Sequence, residues 1–227
     1  MQIYFKRKNR GITQPSNDTI SLVKFLLENK DYIEISMFII GINDKASYIE
    51  KIKKRFKLYA NQHGLKNKEK LDELLTHIIN FYNTTDDDLS KRRGDLLEQI
   101  VQRIEPVHVK NEKYKQYAEC YIYHGEDLIK HSDIDVVHES IDKKEAELIE
   151  CKANLERFLK EKIPTKSRKK LDFMNEVKLI SEEKELDYRL FLATCLSDDT
   201  MSKNVLQQQG YYKFEVLTSI DIIENLK

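Results

Sequence analysis

Apolar residues recur at helical spacing through the first third of the chain. Between residues 16 and 30, Ile20, Leu22, Val23, Leu26 and Leu27 follow Pro15 and the capping residues Ser16 and Asp18, which predicts a helix. Ala46, Ile49, Ile52, Phe56 and Tyr59, then Leu71, Leu74, Leu75, Ile78, Ile79 and Tyr82, predict two amphipathic helices broken at Gly64. The apolar run over residues 32–42 fits a strand or a buried helix, because periodicity does not separate the two at that length. Residues 83–88 are polar and mark a boundary. After them Leu89, Leu96, Leu97, Ile100, Val101 and Ile104 predict another helix, ending before Pro106.

Beyond that helix the pattern changes. Residues 117–123 and 134–137 are short β-rich runs around Gly125, and residues 145–151 form a third. Helices are predicted over about 154–162, stopped by Pro164, and about 167–185. A strand over 188–195, a helix over 205–209, a strand over 212–217 and a terminal helix over 220–226 follow. This order predicts an α/β fold with a mixed central β-sheet flanked by helices, in residues 86–227, and an α-helical N-terminal extension in residues 1–85.

The chain has 227 residues, 40% hydrophobic and 34% charged, enough apolar material for a core and enough charge to solvate helices. Lys and Arg number 39 against 39 Asp and Glu, so global charge does not attract nucleic acid or a membrane surface; a local patch must do so. Three separated cysteines, Cys120, Cys151 and Cys195, give no disulfide framework and no Cys-rich zinc module. No run approaches the roughly 20 apolar residues that span a bilayer, and the first ten residues lack a signal-peptide apolar region, so a cytoplasmic protein is expected. No Gly-rich phosphate loop is present and the six histidines show no zinc spacing.

Chemistry concentrates in two of the β-rich runs. Asp133-Ile134-Asp135-Val136-Val137 precedes Leu148-Ile149-Glu150-Cys151-Lys152, and side-chain alternation puts Glu150 and Lys152 on one strand face with Cys151 turned into the core. Two carboxylates and an ammonium delivered to one place suit phosphodiester hydrolysis, which uses hard divalent cations held by oxygen, an activated water and charge neutralisation. Glu-x-Lys also occurs at Glu28, Glu176 and Glu182, but there in helical patterns where i and i+2 do not share a face. Asp133 competes with Asp135; the apolar residues that follow favour Asp135. Upstream, Gly94-Asp95-Leu96-Leu97-Glu98 adds an acid on a helix, 37 positions before Asp135.

With these segments, roughly residues 89–217 resemble the restriction-endonuclease-like PD-(D/E)xK nuclease superfamily, most closely its Mrr-type and phage-defence members. Gly94 to Glu98 looks like the first core helix with its glutamate, Asp135 like the metal-binding aspartate, and Glu150-Cys151-Lys152 like the D/E-x-K strand. The resemblance implies a metal-dependent endonuclease acting on DNA ahead of RNA, in restriction or phage defence. It further implies Mg²⁺ or Mn²⁺ held by Asp135, Glu150, the Cys151 backbone carbonyl and Glu98, with Lys152 orienting the attacking water. A non-catalytic assembly subunit on the same scaffold is the alternative. Basic clusters lie at residues 6–10, 51–57, 91–93 and 160–170, most of them expected as solvated helix surface. The last, with Lys166, Arg168, Lys169 and Lys170, is the best candidate for backbone-phosphate contact. Zero net charge points to a partner subunit or a homodimer that pools such patches.

Overall fold

A computed structural model describes residues 2–8, 14–110 and 113–227. Five helices precede most of the sheet: α1 (Asn17–Glu28), α2 (Ile33–Ile42), α3 (Ile49–Gln62), α4 (Lys68–Tyr82) and α5 (Asp86–Val101). The Ser16 hydroxyl accepts the Thr19 N–H at 3.2 Å to start α1, and Thr85 caps α5 in the same way through Asp88. Three aspartates in the first turn of α5 also oppose the positive end of its dipole. The ambiguous run at 32–42 is helical. It is apolar on nearly every side because it is buried on nearly every side: Ile33, Ile35, Met37, Ile39 and Ile40 are at most 1% exposed. Each such side chain contributes roughly 1.5–3 kcal/mol. Near its end, a Cβ on Gly41 would sit 3.2 Å from Cys195 Cβ and Leu196 Cδ2, so a larger residue would have to push these neighbours back by a few tenths of an ångström.

The sheet holds six strands in sequence order: β1 (Ile3–Arg7), β2 (Tyr114–His124), β3 (Asp127–Ser140), β4 (Glu145–Cys151), β5 (Asp187–Ala193) and β6 (Phe214–Leu217). The first four pair antiparallel, while β4, β5 and β6 pair parallel. The parallel half requires crossovers, supplied by α6 (Leu155–Leu159) with α7 (Thr165–Glu183), and by α8 (Thr200–Gln208). The chain ends in α9 (Ser219–Glu224) behind a Thr218–Asp221 capping box. The architecture is the expected α/β mixed sheet flanked by helices, with an N-terminal helical part. Among the described residues no helix is long and apolar enough to cross a membrane.

Some element bounds differ from the sequence expectation. Strand β1 has only five residues and gains its pattern by pairing with β2, so local periodicity does not reveal it. Helix α6 stops at Leu159, before 162, because Lys160 turns to a left-handed φ of 54°. Residue 85 coincides with the cap of α5, yet packing continues across it. One apolar cluster joins Leu22, Ile39, Ile52 and Ile78 to Leu97, Val136, Ile149 and Phe191, and β1 carries the N-terminal segment into the sheet. A second cluster, with Leu148, Leu155, Phe173, Val177 and Leu206, fills the opposite sheet face beneath α6, α7 and α8.

Candidate active site

The site forms where β3 and β4 stop pairing. Their ladder runs from Glu139↔Ala146 to Val136↔Ile149 and goes no further. At its end the side-chain alternation slips: Val136 joins the α5 side, while Ile134 and Val137 both join the α7 side. Across from Asp135 on β2, Glu119 has a left-handed φ of 46°, uncommon for a non-glycine residue inside a strand. The slip lets the Asp135 carboxylate lie between the strands, where its Oδ2 accepts the Cys151 N–H at 2.6 Å. A side chain thus replaces the ladder bond that β3 no longer offers.

Side chains from four elements meet here. Lys152 Nζ lies 2.6 Å from Glu150 Oε1, 2.9 Å from the Cys151 carbonyl oxygen and 3.8 Å from Asp135 Oδ2. Lys170 Nζ reaches in from α7 to within 2.9 Å of Glu150 Oε2, close enough for an ion pair though not aligned as a hydrogen bond. Helix α5 packs on β3 and β4 from the other face and brings Glu98 to the same cleft. Burial, then the neighbouring Asp135 charge, push the Glu98 carboxyl up to about 8. Burial and Glu150 push Asp135 up to about 6, against the pull of Lys152 and Lys170. Burial opposes the ammonium of Lys152, but Glu150 and Asp135 outweigh it and hold the group charged above the ordinary lysine range. The result is a permanently cationic lysine beside carboxyl groups able to exchange protons near neutral pH.

The sequence candidates separate in space. Asp135, Glu150, Lys152 and the Cys151 carbonyl converge, with Glu98 facing them, and the Cys151 side chain is buried toward the helical layer. Asp133 turns aside to Lys8 at 2.9 Å, while its carbonyl accepts from Lys170 at 2.6 Å. Lys170 therefore belongs to the acidic cluster, where a solvated phosphate contact was expected, because buried Glu150 and partly exposed Asp133 both draw its ammonium. Arg168 donates to Gln209 Oε1 at 3.1 Å and is taken up by that contact. Lys166 and Lys169 remain exposed and line a cavity of about 820 Å³ with Lys130, Phe158 and Glu150. A second cavity, about 520 Å³, opens on the α5 side and is lined by Arg93, Gly94, Glu98, Cys151 and Lys152. Lys152 and Phe158 form the wall between the two, with Nζ 5.5 Å from the ring centroid. Arg93, read from sequence as surface, is 7% exposed. In the basic run at residues 6–10, Arg10 lies outside the described residues.

Carboxylate and carbonyl oxygens are the donor set that hard divalent cations take. Here two carboxylates and one carbonyl lie around the Lys152 ammonium, so the donor types present suit Mg²⁺ or Mn²⁺ in kind. Among the described residues no three His, Cys, Asp or Glu side chains form a group that could hold a metal ion by themselves.

No protein-family model and no curated protein matches the chain. Among solved structures it is similar to the crystal structure of protein VC1899 from Vibrio cholerae, at 12% identity and a TM-score of 0.39. That match covers 98% of this chain and 56% of the other, so the chain spans a little over half the length of that protein.

Proposed function

We propose that this chain is a Mg²⁺- or Mn²⁺-dependent nuclease of the PD-(D/E)xK kind that cleaves phosphodiester bonds, of DNA ahead of RNA, in restriction or phage defence in the cytoplasm. The observation that carries the reading is the gathering of Asp135 Oδ2, Glu150 Oε1 and the Cys151 carbonyl around the Lys152 ammonium. Asp135, Glu150 and that carbonyl would hold the metal, with Glu98 beside them. When bound, the metal supplies Lewis-acid polarisation of the phosphoryl oxygens and a more acidic water. Lys152, kept charged by its acidic neighbours, orients the attacking water and offsets negative charge on the phosphate as it becomes pentavalent. Lys170 neutralises the far oxygen of Glu150 and fixes that side chain's rotamer. Lys166 and Lys169 draw the backbone of the substrate along the neighbouring groove. Two exposed lysines are a small electrostatic footprint, which supports a partner subunit or a second copy contributing the rest.

The test incubates the full chain with plasmid, single-stranded DNA and RNA in Mg²⁺ or Mn²⁺, beside Lys152→Ala and Glu150→Gln. Cleavage is expected to fall by roughly 10²–10⁴ in each variant, the range for loss of a positioned catalytic group. Cleavage unchanged by both substitutions would sink the site, and a chain that binds nucleic acid without cutting it would favour the assembly-subunit alternative.

A further inference from the structure

Arg93 is a buried cation without an anion. It sits on the inner side of α5, and among the described residues no carboxylate lies within ion-pair distance of its guanidinium. Nε donates to the Ile40 carbonyl at 2.8 Å and Nη2 to the Gly41 carbonyl at 3.1 Å, at the C-terminus of α2. Those bonds do not by themselves explain a charge. Asn154 Nδ2 already donates to the Gly41 carbonyl at 2.9 Å, so a neutral donor serves at this helix end. Taking a guanidinium out of water costs several kcal/mol, which the partial charge of a helix terminus offsets only in part.

The remaining nitrogen, Nη1, makes no hydrogen bond among the described residues and is not one of the sealed, partnerless atoms; Arg93 lines the 520 Å³ cavity that also touches Glu98, Cys151 and Lys152. The other basic groups at the mouth of that cavity are committed, Lys45 to Asp86 at 3.2 Å and Arg157 to Asp44. Next to Arg93 the floor is open. Gly94 stands inside a helix, where glycine costs about 1 kcal/mol relative to alanine. Nothing in the protein demands it, since an added Cβ would find only Glu98 Oε1, at 3.9 Å. A missing side chain, an uncompensated guanidinium and a cavity that reaches the reactive cluster all fit one kind of occupant, an anion. Arg93 and Glu98 are five residues apart on α5, about 7.5 Å along its axis, and line the same cavity.

We propose that Arg93 is an anion anchor that receives a phosphate of the substrate strand next to the one held at Asp135, Glu150 and Lys152, through the opening left by Gly94. This deepens the nuclease reading and rests on it. The guanidinium fork suits two phosphate oxygens and sets the register of the strand without reading its bases.

The experiment follows the side-chain ¹⁵N resonances of Arg93 in the full chain, in EDTA so that nothing is cleaved. Inorganic phosphate and a single-stranded DNA tetranucleotide are titrated separately. Both are expected to shift the Arg93 signals saturably, the tetranucleotide at no more than a tenth of the phosphate concentration. Gly94→Leu, which keeps a good helix former on α5 and fills the opening, is expected to retain or raise the melting temperature and weaken both titrations at least tenfold. Arg93 signals that ignore both probes, or a Gly94→Leu chain that binds them like the parent, would overturn the anchor. A response to inorganic phosphate with none to the tetranucleotide would overturn its assignment to a strand phosphate. Parallel plasmid assays keep the two readings apart: cleavage with silent Arg93 signals removes the anchor alone, while strand-dependent shifts without cleavage leave the anchor and remove the hydrolysis.

Discussion

Glu147 and Glu150 stand three positions apart on β4, both withdrawn from solvent at 0% and 1% exposure, and their surroundings could hardly differ more. Glu147 is closed. Its Oε1 accepts the backbone N–H groups of His108 and Val109, and its Oε2 meets His138 Nδ1 at 3.2 Å. His138 in turn contacts Gln116 at 3.1 Å, so each hydrogen-bonding group there has a partner from the protein. Glu150 is open. Its partners are the ammonium groups of two lysines, it adjoins a cavity, and the neighbouring acid Asp135 repels it. Burial of an acid is thus no sign of a site; burial with replaceable cationic partners at the edge of a cavity is. The regular β3–β4 ladder surrounds the closed acid, and the point where that ladder fails surrounds the open one.

The comparison breaks most visibly at the closed end. Glu147→Ala strips two backbone N–H groups and His138 of their acceptor at once, and each orphaned buried group costs roughly 1–3 kcal/mol. A loss of about 3 kcal/mol or more is expected in chemical denaturation, with the cation cluster at the other end unaltered in the molecules that remain folded. A loss under about 1 kcal/mol would mean that the network around His138 carries no weight.

At the open end an acid-to-amide change is expected to act with the opposite sign. Asp135 titrates at about 6 in the folded chain, above its ordinary range, and Glu98 at about 8. For such groups the folded state holds more protons than the unfolded one between the unfolded and the folded pKa, so their contribution to stability is fully present below about pH 4 and is lost as pH climbs toward 8. Asp135→Asn keeps an oxygen for the Cys151 N–H and removes the repelling charge. It is expected to stabilise the chain by on the order of 1 kcal/mol at pH 8, less at pH 5, while abolishing cleavage. Mg²⁺ neutralises the same charges, so its effect on the parent's melting temperature over EDTA should grow from pH 5 to pH 8.5. An Asn variant less stable than the parent at pH 8 would show that Lys152 and Lys170 fully compensate the acids.

The contrast between the two ends was only half legible in the sequence. Strand alternation predicted that Glu150 and Lys152 share a face and that Cys151 turns inward, because period two depends on nothing but local geometry. It also carried the α/β element order. The 37 positions between Glu98 and Asp135 gave no hint of nearness, yet β2 and the first half of β3 run out and back as a hairpin and use up that length. Pairing across the sheet hid other features. Lys170 lies one helix away from the acids it joins, and Asp133 is claimed by Lys8 from the far end of the chain. Arg93 sits in a run of charges that reads as surface; only the fold shows it buried, with two carbonyls at the end of α2 as its partners. No rule of sequence marks Glu119 as left-handed.

That residue gives the smallest effect and the sharpest view of how the open end is made. A left-handed φ costs a residue with a side chain about 1–2 kcal/mol relative to its preferred conformation, and glycine is free of it. Glycine inside a strand costs about 0.5–1 kcal/mol in its turn, so Glu119→Gly should change stability by less than about 1 kcal/mol and leave cleavage intact. Glu119→Val prefers extended backbone and resists a positive φ. It should cost roughly 1–2 kcal/mol if the slip persists; if the strand instead straightens, Asp135 returns to the regular alternation and its carboxylate leaves the Cys151 N–H. Cleavage then falls while the closed cluster at Glu147 stays as it was. A valine variant with parental stability and parental cleavage would separate the site from the slip in the ladder, and the contrast between the two ends of β4 would need a different cause.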